Sequence, residues 1–567
     1  MKEQKMDLEG FKANPEGTGL TRRQFLKGAA AGAAGMAAAS TLGACAGGPS
    51  ALSARDTGTT DWLGSAPGIK DSEIGEVIET EVLICGAGTG GLFAGAATVE
   101  KGLKTLIIEK NAVLGVVRDD VGSLNSRLQR EGNSILDKEE VIQTHVMYSA
   151  GRVDERLVRI WADESGAAVD WYEELFIRQN AGKLWHEGGY DQIHQGRYKK
   201  FPTGHSPEYA EGKNGSLVLS EYILQKGGVI RFETPLVKLI NNGRRVTGVI
   251  ARDSQKGSYV RINASKGVII ATGGYQNNRE MMQALQPDSL NLLSFSGGSV
   301  AGDGIKACLW LGAEMDDVHT SLLFDRSALL PTETTATATK SNLFWIGSQP
   351  FLKVNLNGER FFNESVPYDF SLHAASLQPG KLFISVFDSN YLEDIKRFDT
   401  VGCSRIYPYP NGAPPNIPAP VIAGMMEGLK AQGFLMEADT IPELAEKIRI
   451  PADTFSATVT RYNEIFDKQE DPDFFKEPYR LSSLRNPPYY AIRVCGLHLC
   501  TFDGIRIDSQ MRPLDFEGKP FEGIYVIGDA SGSFYAHTYP NLFTGQACGR
   551  TLTFGRRVAR ILNGEQV

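Results

Sequence analysis

The chain has 567 residues, too long for one ordinary domain, so length alone predicts two or three. Hydrophobic residues make up 42%, aromatic residues 9% and charged residues 22%, the profile of a packed globular protein, which excludes wholesale disorder. Lys+Arg 59 against Asp+Glu 67 leave a formal net charge of -8, the wrong sign for a dedicated nucleic-acid binder.

Thr21-Arg22-Arg23-Gln24-Phe25-Leu26-Lys27 reads as a twin-arginine signal, followed by a weakly apolar Ala/Gly run from Ala29 to Ala39. That run is too short and too rich in alanine for a membrane span, which wants about 20 strongly apolar residues. Leu42-Gly43-Ala44-Cys45 looks like a bacterial lipoprotein box, with Cys45 as the lipidated first residue. A signal over 1–45 predicts export of an already folded protein, with its cofactor inserted beforehand. Its destination is the cell envelope, at the outer face of the cytoplasmic membrane or in the periplasm. Residues 46–77 are polar and rich in Gly, Ser and Pro, which predicts a flexible tether. No later segment has membrane length, so membrane contact is expected only through Cys45.

The first apolar strand, Val82-Leu83-Ile84-Cys85, runs into Gly86-Ala87-Gly88-Thr89-Gly90-Gly91 and a small-residue helix. A second strand, Thr105-Leu106-Ile107-Ile108, then ends at Glu109. Glycines between strand and helix, with an acid closing the next strand, make a dinucleotide-binding βαβ unit. Gly86 permits the tight turn, Gly88 admits the pyrophosphate and Gly91 lets helix and strand pack closely. Glu109 is placed to accept from ribose hydroxyls.

A β-rich meander over Val229–Val260 leads into Lys266-Gly267-Val268-Ile269-Ile270-Ala271-Thr272-Gly273-Gly274. Near the C-terminus, Gly523-Ile524-Tyr525-Val526-Ile527-Gly528-Asp529-Ala530 is another strand-to-turn unit, with Asp529 placed for ribityl hydroxyls. A nicotinamide domain needs neither segment, and a split FAD domain needs both. The predicted class is α/β: a Rossmann-like FAD-binding domain split into 78–318 and 498–567, with an inserted α+β capping domain over 319–497. The seven cysteines form no CxxC, CxxCH or zinc pattern, so neither covalent haem nor a structural metal is expected. Cys495 and Cys500 read as inert buried thiols.

Gly302-Asp303-Gly304-Ile305, the Ala271–Gly274 turn, Asn357-Gly358-Glu359-Arg360-Phe361-Phe362-Asn363-Glu364 and Gly528-Asp529 together resemble the flavoprotein family of soluble fumarate reductases and 3-ketosteroid dehydrogenases. The resemblance runs from Glu81 to Leu562 in the same order. It implies cofactor contacts for Thr272, Gly273 and Asp303, and a mobile cap that closes substrate against the flavin. Three departures separate the chain from fumarate reductases. Tyr368 stands at the proton-donating arginine, Leu499-Cys500-Thr501 replaces a histidine motif, and His537 leads into Thr538-Tyr539-Pro540-Asn541-Leu542 in place of the clamping arginine. Without paired cations, a small dianion has little reason to enter a closed cleft.

At the same positions the chain is similar to the ketosteroid dehydrogenases, which carries their catalytic tyrosine onto Tyr368 and their carbonyl-polarising tyrosine onto Tyr539. The likeness breaks at Asn541-Leu542-Phe543-Thr544-Gly545, where Phe543 reshapes the pocket. For the third active-site tyrosine, Tyr148, Tyr190 and Tyr198 remain open. His537 is assigned to the substrate or to the FAD loop, and Arg360 and Glu364 to cap structure or cofactor contacts. The resulting expectation is reduction of a C=C bond conjugated to a carbonyl, on an apolar or steroid-like small molecule. Electrons would come from a membrane-bound or multihaem c-type cytochrome, because an exported enzyme cannot draw on cytosolic NADH. A 3-ketosteroid dehydrogenase and a non-catalytic flavin electron-transfer lipoprotein stay open as alternatives.

Overall fold

The computed structural model describes residues 62–188, 199–295, 298–340, 342–398 and 404–567. The twin-arginine motif, Cys45, Tyr190 and Tyr198 lie outside the described residues. Among the described residues no helix is long and apolar enough to cross a membrane.

The first domain is built on a seven-stranded sheet. Strand β1 (Ile74–Cys85) is followed by helix α1 (Thr89–Glu100), β2 (Thr105–Ile108), β3 (Val229–Arg231), β4 (Leu236–Asn242), β5 (Arg245–Arg252) and β6 (Tyr259–Ile270). The order β3-β2-β1-β6 is parallel, and β5 and β4 continue it antiparallel. β1 and β6 are each long enough to serve both parts. From Ile74 to Glu79 β1 alternates between half-buried and exposed residues, as a strand with one wet face does. From Val82 to Cys85 it is wholly buried, as parallel strands covered on both faces are. The apolar run Val82–Cys85 marks only this last third of the strand. Residues 62–77, read as the end of a flexible tether, are docked on the domain: Trp62 packs on its core, Trp310 donates to the Gly64 carbonyl at 3.1 Å, and Lys238 donates to that of Pro67 at 3.1 Å.

The inserted domain carries a second seven-stranded sheet centred on β7 (Ser321–Leu329), β8 (Phe383–Asp388) and the long β9 (Tyr489–Thr501). Its two faces bury different residues with the period of two that a strand imposes. Ile384, Val386, Ala491 and Cys495 face helices Ile441–Ile448 and Ala452–Lys468, whereas Phe383, Phe387, Ile492 and Val494 face helix Ala419–Ala431. Arg360 and Glu364 belong here, in a buried network. Arg360 donates to Glu364 at 2.7 Å and to Asp471 at 2.7 Å, and Lys476 lies 3.4 Å from Glu364. They line neither cavity described below. The chain then re-enters the first sheet as β10 (Ile524–Val526), parallel to β6 through Ile524–Val268 and Val526–Ile270. It ends in helix α2 (Gln546–Leu562), which packs on α1. The fold is the α/β domain interrupted by a cap.

Candidate functional site

A cavity of about 700 Å³ opens at the C-terminal ends of β1, β2 and β6, where a doubly wound sheet binds its ligand. Gly86, Gly88, Glu109, Thr272, Gly273, Asp303 and Asp529 all line it. Gly86 takes φ +106 and Gly273 φ +76, and a Cβ at Gly86 would stand 2.5 Å from the Ala271 carbonyl oxygen. At Gly88 a Cβ meets nothing within 4 Å, so that glycine faces open space. Gly91 stays out of the cavity: a Cβ there would lie 1.8 Å from the Gly86 carbonyl oxygen, so its role is close packing of helix on turn. Glu109 accepts from the Ala87 amide at 2.8 Å and from Asn111 Nδ2 at 2.8 Å, which aims its carboxylate at the cavity rim. Asp303 is held by Lys110 at 2.6 Å. Among the described residues Thr272 Oγ1 is buried with no hydrogen-bond partner, an acceptor and donor left for a ligand. A glycine cradle, two rim carboxylates and an orphaned hydroxyl fit FAD.

A second cavity of about 360 Å³ shares Arg118, Phe295, Leu499, Ala547 and Cys548 with the first. The structure brings Tyr368 and Tyr539 together in its wall, and Phe543 with them. Tyr368 opens helix Tyr368–Ser376 of the cap, and its ring packs edge-on against Phe324 at 5.5 Å. Tyr539 comes from the first domain. Its hydroxyl oxygen accepts the Ala547 amide at 3.1 Å, within the first turn of α2, so its own proton points away from that amide. Phe543 packs on Phe201 with ring centroids 5.0 Å apart. Phe324, Leu322, Leu343 and Trp345 complete an apolar wall. His537 is exposed, with φ +66, and lines neither cavity. Cys495 and Cys500 are buried thiols, pushed up to about 11 and about 12 by burial.

Two groups went unmarked in the sequence. Arg118 stands where the cavities meet, and among the described residues lining the second it is the one cation. Its guanidinium lies 3.3 Å from the Asp529 carboxylate, so its charge is already partly answered. Nothing around Val116-Val117-Arg118-Asp119 signals this, because its partner is 411 positions away. Asp120 also lines the second cavity, accepting from Ser206 Oγ at 2.6 Å. Burial, with Glu187 and Asp119 adding repulsion, pushes its carboxyl up to about 6.

The cavity wall therefore gains a negative charge as pH rises through about 6. Dianion binding should weaken in the same direction. Between pH 5 and pH 7 the dissociation constant of ethane-1,2-disulfonate, a dianion that does not itself titrate in this range, read from the flavin spectrum, is expected to rise about fivefold. Asp120→Asn should flatten the rise, and a constant that falls with pH would show that another group governs the cavity.

A family model described as an FAD binding domain matches residues 81–541. The chain is 25% identical to the vinyl phenol reductase of Lactiplantibacillus plantarum over 490 residues, which cover 85% of this chain and 95% of that protein. It is 24% identical to a fumarate reductase (cytochrome) of Shewanella frigidimarina over 489 residues, 84% of this chain and 76% of that one. The structure of 3-ketosteroid delta1-dehydrogenase from Sterolibacterium denitrificans, in complex with 1,4-androstadiene-3,17-dione, superposes with a TM-score of 0.64 at 20% identity. It covers 86% of this chain and 99% of that one, a likeness of fold.

Proposed function

The chain belongs to the family of flavoproteins defined by this FAD binding domain, and from that premise we propose that it is an oxidoreductase acting on carbon–carbon double bonds. Its substrate is an uncharged alkene conjugated to a carbonyl, an enone or unsaturated lactone on an apolar or steroid-like frame. One observation carries the reading: phenols from two domains, Tyr368 and Tyr539, line a single cavity with an apolar wall that abuts the cofactor cavity.

Bound FAD supplies the hydride. Tyr539, braced by the Ala547 amide, donates to the substrate oxygen as negative charge develops there. A well-aimed donor of this kind is worth about 3–4 kcal/mol. Tyr368 protonates the carbon next to the carbonyl. The apolar wall excludes water and favours neutral guests, and a lone guanidinium paired with Asp529 is a poor clamp for a dicarboxylate. A relative named for a vinyl phenol, an alkene without a carboxylate, supports an uncharged substrate. The twin-arginine motif supports an extracytoplasmic location, with a membrane-bound or multihaem c-type cytochrome as donor and Cys45 as lipid anchor. A relative named as a cytochrome-linked fumarate reductase fits that donor class.

The test is reoxidation of the dithionite-reduced holoprotein by enones, unsaturated lactones and fumarate, followed by flavin absorbance. Enones or lactones should reoxidise it at least about 100-fold faster than fumarate. Fast turnover of fumarate overturns the substrate class. Reoxidation by cytochromes alone makes the protein an electron carrier, and oxidation of saturated 3-ketosteroids with an artificial acceptor, without enone reduction, makes it a dehydrogenase.

A further inference from the structure

We propose that Asp369 is a positioning residue that holds the two active-site tyrosines at a fixed separation by fastening the cap to the first domain. Asp369 follows Tyr368 directly and is 1% exposed. Its Oδ2 accepts from Tyr148 Oη at 2.8 Å and from Thr538 Oγ1 at 2.7 Å, and its Oδ1 accepts from Asn541 Nδ2 at 2.7 Å. Thr538 and Asn541 bracket Tyr539, so the link from one phenol to the other is short: a peptide unit, the Asp369 side chain, the Thr538 side chain, and a peptide unit. Tyr148 ends helix Lys138–Tyr148 of the first domain, and its ring stacks on Phe370 at 5.1 Å.

An aspartate in the first turn of a helix usually serves that helix, by accepting its free amides. This one does not. Among the described residues no side chain caps the helix at Pro367, and the three donors to the carboxylate come from the other domain. Burial raises its carboxyl while the three donors oppose the rise, so the group is kept dry in order to accept. The role of Tyr148 follows: it is a brace for the carboxylate beside Tyr368.

The inference rests on the reading of Tyr368 as acid and Tyr539 as oxyanion donor, so its test runs beside Tyr368→Phe. In the FAD-loaded protein, Asp369→Ala is expected to lower kcat at least about 30-fold with KM within about threefold. FAD content and reoxidation by ferricyanide, which needs no proton donor, should not change. Asp369→Asn should restore kcat to within about threefold of the unaltered protein. Its amide oxygen can keep Thr538 and Tyr148, and Asn541, whose Oδ1 has no partner among the described residues, can turn to accept from the new amide. Thr538→Val removes one donor from the opposite side and should cost about 5–10-fold, which keeps the test open if the alanine variant does not fold. An Asp369→Ala enzyme with normal kcat, beside an inactive Tyr368→Phe enzyme, overturns the positioning role alone. Tyr368→Phe with normal turnover overturns both readings. Equal loss in Asp369→Asn and Asp369→Ala also overturns it, because charge rather than bonding would then be what matters.

Discussion

Replacing Tyr368 by phenylalanine is expected to leave FAD bound and to lower turnover by about 100-fold or more. The substitution is conservative because Tyr368 is 4% exposed, meets Phe324 edge-on and lies under the Arg326 guanidinium at 5.8 Å from the ring centroid, contacts that a phenylalanine ring keeps while losing the hydroxyl. If that hydroxyl delivers the proton, hydride transfer to the conjugated alkene stalls for want of a partner. The flavin itself stays competent toward one-electron acceptors. The measurement is therefore a pair: steady-state turnover with an enone, and reoxidation of reduced protein by ferricyanide. Loss of the first with the second intact assigns the hydroxyl to proton transfer. Loss of both points to a disturbed cofactor, and retention of both removes Tyr368 from the chemistry. In the dehydrogenase direction the same oxygen, as phenolate, would take the proton from that carbon, so the loss is expected whichever way the reaction runs.

The parts of this molecule that could be read from sequence are those whose causes lie close together in the chain. The Gly86–Gly91 turn, Glu109 and the strand ending at Val526 each depend on neighbours within about thirty positions or on a motif that repeats locally. Only the last third of β1 is legible, because Glu76 and Glu79 in its half-wet first part disguise a strand as a polar leader. β7 is harder still. It carries Asp325 and Arg326 in mid-strand, and these are tolerable in a core because Lys353 lies 3.1 Å from Asp325, Arg326 Nε donates to Ser348 Oγ at 2.9 Å, and the Arg326 guanidinium lies 4.1 Å from the Trp345 ring centroid. None of those partners is adjacent in sequence. The same holds at the site. Tyr368 and Tyr539 could be named singly, but that they share one cavity depends on the cap's placement. Arg118 and Asp369 act through residues 411 and 169 to 221 positions distant. A histidine before Thr538-Tyr539 invites a chemical role, yet in the fold it is the turn residue that points outward.

Two glycines three positions apart should fail in opposite ways, and the contrast tests where the cofactor's diphosphate lies. At Gly91 a methyl group would stand 1.8 Å from the Gly86 carbonyl oxygen, a backbone atom that cannot swing aside. Relief requires α1 to move off the turn, which breaks its contact with the sheet. Gly91→Ala is expected to cost on the order of 5 kcal/mol and to give insoluble or FAD-free protein. At Gly88 the backbone, with φ -92 and ψ -160, is open to L-residues, and among the described residues no atom beyond its chain neighbours lies within 4 Å of the added carbon. Gly88→Ala should therefore fold, with a melting temperature of the apoprotein within about 3 °C of the unaltered apoprotein. The methyl group instead projects into the cavity, at the start of a helix whose positive end favours phosphate. FAD affinity, measured by fluorescence quenching on titration of the apoprotein, is expected to fall about 100-fold. If Gly88→Ala binds FAD normally, the diphosphate does not approach this turn. If instead Gly91→Ala is as stable as the unaltered chain, the close helix-to-turn packing that shapes the cavity floor is not what holds it.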